Sequence, residues 1–350
     1  MNTLQDFAQA RALKYILPAV VLFGCLAGAG AAAELPIIVP DRDNLQFMSF
    51  WVAKGAGYFA DEGVELRLLV PEQPNQAQRM VLAGEADCAV LPPPMYLELI
   101  AKKFPWVLVA NLLENDAINL VVRRSIVEER KLDLNASLKD RLTGLAGLRI
   151  GVAPNPPTRL RALFRSVGLD ADQVIKMVIY RGQEQNEAFG DGRVDALYAH
   201  TPYLEKALVD QDAIMVVNQS NGEVPKLAVR QIHALVVSQR MVAEKRETVT
   251  GLVRAIARAE TLIHGDRPAA VAAILREFPD MERRHVEKVV EVYQTAIPTS
   301  PRVSSKGFQA ALELFPASRQ PPDLSGLDLN EFVAPEFADA VAESTVRPDK

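Results

Sequence analysis

The chain has 350 residues, with 39 Lys and Arg against 44 Asp and Glu for a formal charge of -5, and the two signs are interspersed along its length. That balance offers no basic face to nucleic acid, and 49% hydrophobic with only 6% aromatic residues suits an Ala, Leu and Val core in helices flanking sheets. The four histidines, His200, His233, His264 and His285, lack zinc spacing, and there is no Gly-x-Ser-x-Gly elbow, phosphate loop or complete dinucleotide fingerprint, so neither metal nor cofactor is expected.

Residues 1–33 read as an export leader. Arg11 and Lys14 precede an apolar run from Tyr15 to Leu26, too short to span a bilayer comfortably, and Ala27 to Ala33 contains only Ala and Gly. Ala31-x-Ala33 before Glu34 fits a signal-peptidase site. Leu22-Phe23-Gly24-Cys25 is a rival lipoprotein site, weakened by bulky Phe23, and a lipid anchor at Cys25 is the one membrane attachment implied. With Cys25 removed or lipidated only Cys88 is left, so no intramolecular disulfide forms; Cys88, in an apolar strand, reads as a small core residue.

Leu35 to Val39 is a short apolar strand, followed by the polar loop Pro40 to Asn44 and a helix from Leu45 to Lys54. In open α/β sheets ligands collect at the carboxyl ends of strands, beside helix starts, which makes Asn44, Gln46 and Phe47 candidate pocket residues. Asn44 also fits a helix N-cap, and Trp51 reads as core. Gly57 to Gly63 ends one helix and restarts another for a turn before the alternating strand Val64, Leu66, Leu68 and Val70. A helix closed by Gly84 leads through Asp87 into the strand Cys88 to Leu91, and the sheet is expected to be largely parallel. Pro92 to Pro94 with Met95 form a stiff loop, so Pro93 and Met95 join the candidate site. Val107 to Leu112 is a further strand, and Asn115 and Asp116 interrupt the apolar pattern before Ile118 to Val122.

An apolar helix, then Gly57-Tyr58-Phe59-Ala60-Asp61-Glu62-Gly63-Val64, then Ala83-Gly84-Glu85-Ala86-Asp87 about twenty residues on, resembles the substrate-binding proteins of nitrate, sulfonate, taurine and thiamine-precursor ABC importers. The resemblance implies an α/β, type II periplasmic-binding-protein fold: two lobes, each a mostly parallel sheet flanked by helices, joined by two hinge crossings. It also implies that Asn115 and Asp116 lie where the chain first crosses, and that the partners are a small-molecule ligand and an ABC permease. The cysteine-rich motif of thiamine-precursor synthases is missing.

After a charged helical connector, Ile126 to Leu142, the pattern repeats. Gly147 to Val152 is a strand, Thr158 to Val167 a helix closed by Gly168, Val174 to Tyr180 a strand, and Gly192-Arg193-Val194-Asp195 leads into Ala196 to Ala199 as Gly84 to Asp87 leads into Cys88. The facing pocket wall should hold Asn155, Thr158, Arg159, Tyr198 and His200, with Thr158 as an N-cap and Arg159 available to a sulfonate, nitrate or carboxylate. Val229 to Val237 carries the return crossing, and helices follow. The expected division is 34–116 plus 232–344 for lobe 1, 117–231 for lobe 2 and a disordered tail at 345–350. The reading is an exported, monomeric, non-enzymatic solute-binding component of an ABC importer, with a small organic anion preferred as ligand. An enzyme on the same fold and a ligand-sensing module are the alternatives.

Overall fold

The computed structural model describes residues 34–154, 156–228, 231–312 and 320–346. Residues 1–33, expected to be an export leader and including Cys25, lie outside the described residues, as do Asn155 and residues 347–350. Among the described residues no helix is long and apolar enough to cross a membrane.

The first lobe opens with β1 (Leu35–Ile38), α1 (Met48–Gly55), β2 (Leu66–Leu69), α2 (Gln76–Ala83), β3 (Cys88–Leu91), α3 (Pro93–Ala101) and β4 (Trp106–Leu113). The chain crosses into β5 (Asn119–Arg123) and continues through β6 (Arg149–Val152), α4 (Pro157–Ser166), β7 (Lys176–Ile179), β8 (Ala196–Ala199), α5 (Tyr203–Asp210) and β9 (Ala213–Val217). It returns into β10 (His233–Ser238) and finishes with α6 (Arg246–Gly265), α7 (Arg267–Glu277), α8 (Arg283–Tyr293) and, further on, α9 (Glu336–Val346). That last helix runs to Val346, into the segment expected as a disordered tail.

The sheets run β2-β1-β3-β10-β4 and β7-β6-β8-β5-β9, which is one topology used twice. In each, three parallel strands are followed by one antiparallel strand, β10 or β5, taken from the chain just after it crosses between lobes. Each sheet is therefore mostly parallel, as expected, with a single reversed strand. Strands β3, β4, β8 and β10 are buried along their whole length, as expected of sheets covered by helices on both faces, and this is why they read as unbroken apolar runs.

The paired sequence signature has a plain backbone role. Gly84 and Gly192 sit at φ of 74° and 73°, the left-handed region where a Cβ is disfavoured, and each turns the chain out of a helix towards a strand. Asp87 then accepts from Ser238 Oγ at 2.7 Å and Arg240 Nη2 at 2.6 Å, and Asp195 from the backbone N–H of Arg149 at 2.8 Å, tying each strand start to its neighbour. Trp51 is fully buried, with its indole N–H donating to Asn44 O at 3.1 Å. Cys88 is buried in β3, and burial pushes its thiol far above the ordinary range.

At the crossings the backbone is bound by buried polar side chains. Asn115 Nδ2 donates to Ser220 O at 3.2 Å, Asn119 Nδ2 to Ser220 Oγ at 2.8 Å, and Gln219 Nε2 to Ile118 O at 2.6 Å, so outgoing and returning strands are stitched to each other. Apolar packing leaves few alternatives for such groups, since an unpaired buried amide costs about 1–3 kcal/mol.

Candidate functional site

A cleft of about 930 Å³ opens where the carboxyl ends of the two sheets face each other. The segments that follow six of the strands contribute: Asn44 and Gln46 after β1, Pro74 and Asn75 after β2, Pro92, Pro94 and Met95 after β3, Ala153, Pro154 and Pro156 after β6, Arg181 and Gly182 after β7, and His200 after β8. Gln78, Arg79 and Glu98 from α2 and α3, Arg159 from α4, Ile118 and His233 complete the lining. The location follows from topology, because strand ends with a switch in strand order leave a crevice.

Of the residues singled out in the sequence, Asn44, Gln46, Met95, Arg159 and His200 line the cleft. Asn44 also caps the next turn, its side chain accepting from Gln46 N at 2.9 Å. Phe47 is turned into the core, its ring 4.6 Å from that of His233. Pro93 is buried between the lining residues Pro92 and Pro94, and Asn115 serves the crossing. Tyr198 is fully buried in the second lobe, where its hydroxyl accepts from Gln219 Nε2 at 2.8 Å. Thr158 does not occupy the N-cap: α4 begins at Pro157 with Pro156 in the cap position, because proline's φ and missing N–H favour a helix start. Asn155 lies outside the described residues.

Arg159 is the central charge. Its Nη1 donates to Asp116 Oδ1 at 2.8 Å, and the Asp116 side chain is only 4% exposed against 16% for Arg159. One of the guanidinium's five donors is thus directed at the first crossing while the residue faces the cleft. Burial and then the nearby Arg159 charge hold His200 below its ordinary value, and the same two causes, in that order, bring His233 down to about 3. Both imidazoles are therefore neutral at pH 7. His200 Nδ1 lies 2.5 Å from Thr201 O, which requires the proton on Nδ1 and leaves Nε2 as an acceptor. His233 Nε2 lies 3.0 Å from Gln46 Oε1, joining β10 to the loop after β1. Towards the rim Gln78 Nε2 donates to Glu98 Oε2 at 2.8 Å.

His233 was not singled out as a site residue. It opens β10, and an antiparallel strand starts at the edge where its parallel neighbours end, so it arrives beside Leu91 and Leu113 at the ligand side. Ile118, just before β5, arrives in the other lobe by the same geometry. Among the described residues no group of three or more His, Cys, Asp or Glu could hold a metal ion.

Two α/β lobes of one topology, joined by two crossings around a cleft at their strand ends, define the two-lobed type II periplasmic-binding-protein fold. The chain belongs to the NMT1/THI5 like family, whose model matches residues 44–269. No curated protein sequence matches it. Among solved structures it is similar to the alkanesulfonate-binding protein SsuA of Xanthomonas axonopodis pv. citri, bound to MOPS, at 18% identity and a TM-score of 0.60, covering 87% of this chain and 99% of that one. The nitrate-binding protein NrtA of Synechocystis PCC 6803 is similar at 12% identity and a TM-score of 0.62, with 91% and 90% covered. The desulfurization enzyme DSZB is similar at 16% identity and a TM-score of 0.55, with 89% and 99% covered. At these identities the likenesses bear on the fold alone.

Proposed function

We propose that this protein is the extracytoplasmic solute-binding component of an ABC importer, which captures a small organic anion of the sulfonate kind between its lobes and delivers it to a permease. The observation that carries the reading is Arg159, a half-buried guanidinium reaching a cleft enclosed by six strand ends and two crossings. Arg79 and Arg181 add positive charge against Glu98, so the lining has a net attraction for an anion. Ligand contacts to both walls stabilise the closed arrangement, and closure is what a permease reads. Family membership and the leader-like residues 1–33 support export, by signal-peptidase cleavage after Ala33 or lipidation at Cys25.

A thermal-shift screen of the purified protein against alkanesulfonates, carboxylates, nitrate and neutral heterocycles tests this. A binder at a hundredfold over its Kd adds about 2.7 kcal/mol of stability, easily read as a rise in Tm. Stabilisation confined to neutral heterocycles rejects the anionic ligand. Turnover of a sulfinate or sulfonate would favour instead an enzyme on this fold, the second reading prompted by the likeness to DSZB.

A further inference from the structure

The two crossings are not the whole connection between the lobes. Helix α8, which follows α7 on the first lobe, packs back to back with α5 of the second, and the apolar core is continuous through Val286, Val289 and Val290 to Leu204 and Ala207. The two helices are fastened at both ends. At the outer end Asp210 of α5 accepts from Arg284 at 3.0 Å and His285 Nε2 at 2.9 Å. At the inner end Glu205 of α5 is 1% exposed, and its charge bears on the buried hydroxyl of Tyr293, the last residue of α8. Neither Glu205 carboxyl oxygen meets a well-formed hydrogen bond; its near neighbours are the Thr201 hydroxyl and its own backbone N–H.

We propose that the α5–α8 pair is a proton-dependent clasp across the back of the hinge, closed while the Glu205 carboxyl carries its proton and released when it is lost.

A buried carboxylate without a cationic partner is among the costliest groups a fold can hold. No lysine, arginine or histidine stabilises the ionised form of Glu205. The groups that bear on this end are Tyr293 from α8 and Thr201 from the preceding turn, with Asp116 of the first crossing also acting on Tyr293; Lys206, Asp210, Arg284 and His285 gather at the outer end. Burial accordingly pushes the Glu205 carboxyl up to about 8. With the clasp open the group faces water and titrates near the ordinary carboxylate value, so between about pH 5 and 8 each pH unit favours release by about tenfold. Release frees α8 from the second lobe and leaves the two crossings as the remaining restraint on lobe movement.

Hydrogen exchange of the α8 amides, corrected for the intrinsic pH dependence of exchange, reads the clasp without any ligand and so independently of what the cleft binds. Wild type should lose protection progressively as pH rises across that window, Glu205→Gln should stay flat, and Asp210→Asn should be less protected at every pH with the wild-type slope. Equal slopes in wild type and E205Q overturn the proposal. Infrared difference spectra of wild type against E205Q give a second check: a protonated-carboxyl band that is missing from E205Q, present at neutral pH and lost near pH 8, supports it, and no Glu205-dependent band at neutral pH overturns it.

Discussion

Replacing Asp116 by Asn separates the two tasks of Arg159. The Asp116 carboxylate takes Nη1 at 2.8 Å, so an anion seated on the opposite edge of the guanidinium would lie roughly 7 Å from the Asp116 charge. At an effective dielectric constant of about 20 that separation corresponds to roughly 2 kcal/mol of repulsion, and water in the open cleft roughly halves it. Asp116→Asn should therefore tighten anion binding by about fivefold, since every 1.4 kcal/mol is a factor of ten in Kd. The same change leaves a guanidinium without its partner. Breaking a buried pair costs about 3–5 kcal/mol, and because Arg159 reaches cleft water the loss here should be nearer 2 kcal/mol. Titration calorimetry of wild type and variant with one anion at low salt, beside a urea melt of each, reads both quantities. Equal or weaker anion affinity in the variant would refute Arg159 as the anion's anchor, whatever happened to stability.

Anion affinity should also rise in acid, as His200 gains a proton below its depressed titration range and adds a second positive charge beside Arg159; His200→Gln should remove that rise in a pH series of calorimetric titrations. Glu260 is fully buried, neither carboxyl oxygen has a hydrogen-bond partner, and burial and then Glu114 push it well above the ordinary carboxylate range. Its raised value means stability is lost as pH climbs from about 4.5 towards the folded-state value, so Glu260→Gln should be the more stable protein at neutral pH by urea unfolding, with the gap shrinking in acid. A Cβ on Gly55 would meet Ala273 O at 2.0 Å, backbone against backbone between α1 and α7, so Gly55→Ala should cost about 3 kcal/mol or more in the same assay.

The fold was largely legible because its cues are local. Gly84 and Gly192 close helices for a backbone reason, and Cys88 to Leu91 and Ala196 to Ala199 are apolar throughout because both faces are covered, so the repeat of one lobe in the other could be read from two short stretches. The single reversed strand in each sheet was not, since direction is set by a crossing and nothing in Asn119–Arg123 or His233–Ser238 marks a strand as antiparallel. That one unknown also hid His233 and Ile118 from the site, because a residue at the start of a strand is remote from the ligand edge unless the strand runs the other way. Tyr198 shows the complementary difficulty: alternation along β8 is not expressed where every position is buried, so the side pointing to the cleft could not be told from the side pointing to the core. Clusters assembled from distant segments, such as Glu205 with Tyr293 or Asp116 with Arg159, have no local cue at all.

Mass analysis of the small molecules released on denaturing the protein, purified without added ligand, bears most directly on the claim that the cleft captures a small anion. The account predicts a single low-mass sulfonate or related acid, absent from Arg159→Met protein prepared alongside; a neutral heterocycle carried equally by both would contradict it.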